Sequence, residues 1–168
     1  MTYTQTPLAT LRSKAGSLLQ KLYSEFGLVK TELDALAAVD AAGLKIAKGA
    51  LTAGNANDFA FAWQNPESSA IIVSRVVVDV TTKSASAGSL LDVGPAANAT
   101  THSDTLIDGL DIATATITAD NITNKGTNGR SLCKLDANGG TTDYITGQIL
   151  EQDAAALAGK YYIFYTVI

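Results

Sequence analysis

The stretch that decides the fold is AIIVSRVVVDVTT, residues 70–82. Seven of these thirteen residues are Val or Ile, and branched side chains of this kind favour the extended backbone of a strand. A turn-like sequence, NPESS at residues 65–69, comes directly before the run. The stretch therefore predicts a long buried strand, and the rest of the chain has to supply the sheets around it.

Short segments that alternate apolar and polar residues surround this strand, and Gly-, Asn- and Asp-rich turns separate them. They predict strands within DFAFAW (58–63), SLLDVG (89–94), RSLCKLDANGG (130–140), DYITGQIL (143–150) and KYYIFYTVI (160–168), with one or two short extended pieces in residues 105–122. The connection at residues 151–159 is predicted to hold one helical turn. About seven or eight strands indicate a mainly β body, a jelly-roll-like antiparallel β-sandwich.

A different pattern occupies residues 6–48, where apolar side chains recur every three or four positions, as on one face of a helix. Gly43 suits the end of that pattern. We therefore predict an N-terminal α-helical segment in residues 1–50, followed by a sandwich domain in residues 51–168. The helix is expected either to oligomerise or to lie on its own domain, and the pattern leaves open whether it continues through Gly27.

The composition limits the classes of function. Of 168 residues, 46% are hydrophobic and 17% are charged, and the net charge is −4. Such a chain can build a core, but it has no basic cluster to support nucleic-acid binding. No stretch reaches the ~18 apolar residues of a membrane-spanning helix, and the first residues do not resemble a secretory signal. We expect no nucleic-acid partner and no membrane.

Residues able to carry chemistry are few and scattered. His102 is the only histidine, which favours a solvated loop residue over a zinc ligand or a triad member. The single cysteine, Cys133, lies in a strand pattern and is interpreted as a small buried side chain. Asp104, Asp108 and Asp111 lack the spacing of a calcium loop. We therefore predict no catalytic residue, no cofactor and no metal site; a small hydrolase would need His102 and the three aspartates to converge in one cleft.

A binding module is the other alternative to a structural role. It would need exposed aromatic side chains, or clustered Asp and Asn in the loops at residues 95–104 and 121–130. Phe59, Phe61 and Trp63 share one face of a strand by alternation. We interpret these three aromatic residues as part of the core rather than as a platform for sugars.

The last strand is apolar on both faces. A strand with one face exposed to solvent would carry polar side chains on that face. One face therefore packs in the sandwich, and the other needs a second cover, either the N-terminal helix or a symmetry-related copy. We favour a copy in a closed threefold arrangement. Alternation places Tyr162, Phe164 and Thr166 on one side and Tyr161, Ile163, Tyr165 and Val167 on the other.

The order of these segments resembles that of small virion proteins of tailed bacteriophages. In particular, residues 50–168 are similar to capsid decoration (cement) proteins and head-fibre proteins with a jelly-roll body. The segments that carry the resemblance are FAFAWQNPESSAIIVSRVVVDVTT, SLLDVG, LIDGLD, GTNG, DYITGQ and LAGKYYIFYTVI.

The resemblance implies a non-enzymatic protein on the outer surface of the virion, made in the host cytoplasm. Its partners would be the major capsid protein and further copies of itself, as a homotrimer that braces the capsid. The helical segment of residues 1–50 would either anchor on the capsid or bundle with its copies. The alternative is a receptor- or carbohydrate-binding module of a tail fibre or baseplate. Periodicity suggests the following residues for the oligomer interface: Leu11, Leu18, Leu22, Phe26, Leu33, Tyr161, Tyr165 and Ile168.

Overall fold

Nine strands make up the described part of the chain. The computed structural model describes residues 43–168 together with Ser17, Lys21 and Ser24, three exposed helical positions. The rest of the predicted N-terminal helical segment lies outside the described residues. The strands are β1 Lys45–Leu51, β2 Phe59–Gln64, β3 Ile71–Thr82, β4 Leu90–Ala96, β5 Ile107–Asp111, β6 Ile117–Asp120, β7 Cys133–Leu135, β8 Tyr144–Leu150 and β9 Ala158–Val167.

The strands form two sheets, and every pairing is antiparallel. The first sheet has the order β1-β9-β3-β6, and β7 also pairs with β3. The second sheet has the order β2-β8-β4-β5. The prediction of a mainly β, antiparallel body with two sheets is confirmed.

Apolar side chains from both sheets meet in one core. On β3 the pairing with β9 shifts register between Val73 and Arg75, and this bulge keeps the valines that follow it on the inner face. The fully or almost fully buried side chains of β3 are Ile71, Val73, Val76, Val78 and Val80, and those of the second sheet include Leu91, Val93, Ile145 and Ile149. The run that decides the fold thus forms the centre of the first sheet, beside β9.

Two local predictions are wrong. The helical pattern was expected to extend to Lys48, but β1 begins at Lys45 and pairs along its whole length with β9. The helical turn expected in residues 151–159 is absent from these described residues, where a turn and a single bridge between Gly54 and Ala154 connect β8 to β9. In both places tertiary pairing overrides a helix propensity that is only a weak preference.

Residues 43–168 belong to one compact unit. The predicted boundary at residue 51 therefore falls inside β1. Within the described residues, no helix is long and apolar enough to cross a membrane.

Candidate interaction surface

The last strand, β9, presents different faces to the core and to the outside. Tyr161, Ile163 and Tyr165 point inward and are 8%, 0% and 5% exposed. Tyr162, Phe164 and Thr166 alternate with them and are half-buried. The strand is therefore covered on its inner face by its own sandwich, while the outer face keeps part of its apolar area open.

This arrangement bears on the residues predicted for an oligomer interface. Tyr161 and Tyr165 are buried in their own chain, which argues against their assignment to contacts with a copy. The hydroxyl of Tyr165 donates a hydrogen bond to Glu67 Oε1 at 3.0 Å. Ile168 is 61% exposed, and its assignment stays a prediction. The remaining predicted residues, Leu11, Leu18, Leu22, Phe26 and Leu33, lie outside the described residues.

Burial and this hydrogen bond also alter the ionisation of Tyr165 and Glu67. Burial, together with the Glu67 carboxylate, raises the pKa of Tyr165 to about 12. Lys45 Nζ donates to the same Glu67 oxygen at 2.9 Å, and this bond, with the one from Tyr165, lowers the pKa of Glu67. The three side chains tie β1 and β9 to the turn before β3, and they leave the inner face with its polar groups satisfied.

The outward-pointing side chains of β1, β9 and β3 form a continuous surface, which we call the outer face. Strand pairing places Ile46 beside Phe164, and Lys48 beside Tyr162. On the other side of β9, Val77 lies beside Tyr162 and Ile72 beside Thr166. The outer face consists of Ile46, Lys48, Ile72, Val77, Lys160, Tyr162, Phe164 and Thr166, all at least partly exposed.

Further exposed apolar side chains stand at the ends of the strands that form this face. Leu44 directly precedes β1, Ile168 directly follows β9, and Leu132 directly precedes β7. Their exposed fractions are 63%, 61% and 57%, and that of Ile46 is 58%. These four are among the five large apolar side chains that are exposed in the described part of the chain; the fifth is Ile122. Exposed apolar area is thus concentrated at one end of the first sheet, which is typical of a contact surface.

The charges on the same sheet face are mostly positive. Lys48, Lys160 and, on β7, Lys134 form no ion pair within the described residues. Arg75 is different, because its guanidinium binds the carboxylate of Asp120. Burial opposes ionisation of Asp120, but bonds from the backbone of Thr123, from Arg75 and from the backbone of Ile122 outweigh it and hold the pKa of this carboxyl well below its usual range.

The loop with His102 folds back onto the second sheet. His102 Nε2 lies 2.8 Å from Oδ2 of Asp92, whose side chain is only 5% exposed. The other oxygen of Asp92 accepts the backbone N–H of Gly109 at 2.6 Å, and Thr146 Oγ1 donates to the carbonyl of Thr101 at 2.9 Å. His102 is an exposed loop residue, as the sequence indicated, with its side chain 43% exposed, and its ring also contacts a buried carboxylate.

Two of the three aspartates of residues 104–111 meet at Asn128, and the third, Asp111, caps a separate turn. Asp104 accepts from the side-chain amide of Asn128 at 2.7 Å, and Asp108 accepts from the backbone of the same residue at 3.0 Å. Asp111 accepts from the Thr114 hydroxyl and from the backbone N–H groups of Ala113 and Thr114, and these bonds lower its pKa. Within the described residues no cluster of His, Cys, Asp and Glu could hold a metal ion.

Cys133 and the aromatic residues of β2 belong to the core or to its margin. Cys133 is half-buried against the core, and burial raises the pKa of its thiol to about 12. Phe61 packs in the core as predicted, against Tyr161, whereas Trp63 is partly buried at the margin of the core, beside Tyr165. Phe59 is not part of that cluster, because the pairing of β2 with β8 shifts register between Phe59 and Phe61.

The sequence reasoning missed Ile46 and Lys48. Their alternation with Lys45 and Ala47 was present in the sequence, but it was absorbed into the helical pattern that precedes it. The alternation along β9 separates its two faces but does not indicate which of them packs against the core.

Comparison with known proteins gives two similar solved chains. No protein-family model matches the chain, and no curated protein matches it. One similar chain belongs to the acidic stable capsid structure of Helicobacter pylori bacteriophage KHP30, with 15% identity and a TM-score of 0.42 over 74% of this chain and 86% of that chain. The other belongs to the capsid asymmetric unit of cyanophage Pam1, with 18% identity and a TM-score of 0.42 over 75% and 84% of the two chains. Both of these structures are phage capsids.

Proposed function

We propose that the chain is a non-enzymatic structural protein of a phage virion that decorates and stabilises the outside of the capsid as a trimer. The observation that carries this proposal is the open outer face of the first sheet, with Ile46 and Phe164 side by side. A structural protein binds its neighbours through such a surface, because a contact that removes apolar area from water is stabilised by the hydrophobic effect.

The strand order supports a jelly-roll body for this protein. The first strand pairs with the last and β2 pairs with β8, while β3 pairs with β6 and β7, and β4 pairs with β5. Such nested pairing is expected when a long hairpin wraps round a sandwich. The resemblance of residues 50–168 to decoration and head-fibre proteins agrees with that body.

To test this proposal, the purified full-length chain is added to phage particles that lack it. Copies bound per particle are counted by quantitative mass spectrometry, and the temperature of genome release is measured. We expect saturable binding at a fixed number of copies and an increase in the release temperature. Particles that bind no chain, or that bind it without any gain in heat resistance, would contradict the proposal.

A further inference from the structure

We infer that the outer face of the first sheet seats against a different, acidic surface of a second copy of this chain, so that copies associate head to tail. This inference deepens the proposed function, on which it rests for the existence of an oligomer. It names the surface that makes the contact and the chemistry of the surface that receives it.

The size of the outer face suits such a contact. β9 has ten residues, and a strand of that length spans about 33 Å, while the three strands β1, β9 and β3 span about 14 Å. The product, on the order of 500 Å², is more than half of the ~800 Å² that each partner contributes to a standard interface. Its centre is formed by Ile46, Tyr162 and Phe164, which are apolar or aromatic as in the centre of a typical interface.

The charged side chains on this side of the first sheet indicate which kind of surface can bind to the outer face. Among the charged side chains on this side of the first sheet, Lys48, Lys134, Lys160 and Arg75 are cationic, and Asp79 and Asp120 are anionic. Asp120 is engaged by Arg75, and Asp79 accepts the Thr118 hydroxyl at 2.8 Å. The chain as a whole carries a net charge of −4, so its charged side chains outside this side of the sheet are negative in sum.

These charges disfavour a face-to-face pair. Two outer faces related by a twofold axis would bring Lys48, Lys134 and Lys160 of one copy towards those of the other, and like charges at an interface cost free energy. A head-to-tail contact places the lysines against the acidic remainder of the neighbour. Repeated by rotation, such a contact closes into a ring, and a threefold ring is the form that the proposed trimer requires.

The edge of β1 is a poorer candidate for association than the outer face. β1 is an edge strand of the first sheet, and it carries Lys45 and Lys48. Lysines on an edge strand oppose pairing with another strand. The contact is therefore assigned to the side chains of the outer face and not to the backbone of the edge.

The test is sedimentation of the full-length chain over a range of concentrations and salt. The informative variant is Ile46→Asp, and its matched control is Ile122→Asp, since both isoleucines are exposed and only the first lies on the outer face. We expect Ile46→Asp to weaken association about tenfold or more, as for a residue central to an interface, and Ile122→Asp to change it less than about twofold. Circular dichroism checks that both variants keep the β fold.

The salt dependence of association and a charge-reversal variant distinguish head-to-tail from face-to-face association. A head-to-tail contact between lysines and carboxylates weakens as salt rises, and Lys48→Glu weakens it further. Association that strengthens with salt, or with Lys48→Glu, would overturn the inference in favour of face-to-face pairing. A chain that stays monomeric at every concentration, or an oligomer that Ile46→Asp leaves intact, would also overturn it.

The particle-binding experiment separates this inference from the proposed function. A chain that associates through the outer face but never binds particles would contradict the capsid role and leave the inference standing. A chain that decorates and stabilises particles while Ile46→Asp has no effect on association would contradict the inference and leave the capsid role standing.

Discussion

Phe61 and Tyr161 stack across the two sheets, with ring centroids 4.3 Å apart and an interplanar angle of 18°. Each ring lies over a glycine of the neighbouring strand. A Cβ on Gly147 would lie 2.3 Å from Phe61, and a Cβ on Gly49 would lie 2.4 Å from Tyr161. Glycine at these two positions therefore leaves space for the two aromatic rings in the centre of the sandwich.

Removal of one ring is expected to destabilise the fold strongly. Phe61→Ala should lower the free energy of unfolding by about 3–5 kcal/mol, since it removes a buried aromatic ring and leaves a cavity. Gly147→Ala should lower it by about 1–3 kcal/mol through overpacking against the same ring. Both are measured by urea denaturation. The control is Phe59→Ala, outside the core cluster; a loss as large as that of Phe61→Ala would contradict the account of the core.

Acid should weaken the fold through Asp120. Its pKa is lowered in the folded chain, so its contribution to stability is fully present above the unfolded value of about 3.9 and is lost as the pH falls from there towards the folded pKa. Asp120→Asn should therefore lower the free energy of unfolding by about 1–3 kcal/mol at pH 7. The difference from the parent chain should shrink between about pH 4 and pH 2. A difference that is constant over this range would show that the carboxylate charge is not what stabilises the fold.

The contact between His102 and Asp92 should hold the loop of residues 97–106. His102→Leu leaves a buried carboxylate oxygen without its partner and should cost about 1–3 kcal/mol. His102→Gln keeps a donor and should cost less. Thermal unfolding measures both, and amide hydrogen exchange in the loop should rise in the leucine variant. Equal stability of the leucine variant and the parent chain would mean that the loop is held without His102.

Cys133 should react slowly with alkylating reagents in the folded chain. Because burial raises the pKa of the thiol to about 12, little thiolate is present near pH 8. We expect iodoacetamide to modify the native chain at least about a hundredfold more slowly than the chain in denaturant, as followed by intact-mass spectrometry. A native rate equal to the denatured rate would show that the thiol is not protected by burial.

Most of the strands could be predicted from the sequence because their local chemistry and their tertiary role agree. In residues 70–82 the branched side chains favour a strand and also supply the core. β1 could not be predicted, since Ala and Lys are good helix formers and only the pairing with β9 makes residues 45–51 a strand.

The candidate surface was predictable in kind but not in detail. An apolar strand at residues 160–168 indicated that two covers are needed, yet its two faces are so alike in composition that alternation cannot say which one is buried. The choice depends on Gly49 and Gly147, which admit the rings of Tyr161 and Phe61 on the inner side. The contact between His102 and Asp92 forms because a loop folds back over a sheet, and no local sequence pattern predicts such a contact.

The most direct test of the central claim is electron cryo-microscopy of the particle of the phage that encodes the chain, at a resolution that shows side chains. The account predicts a sandwich on the outside of the shell, with Ile46 and Phe164 in contact with a neighbouring protein chain. A particle without the chain, or one in which both side chains face solvent on a solitary subunit, would contradict it.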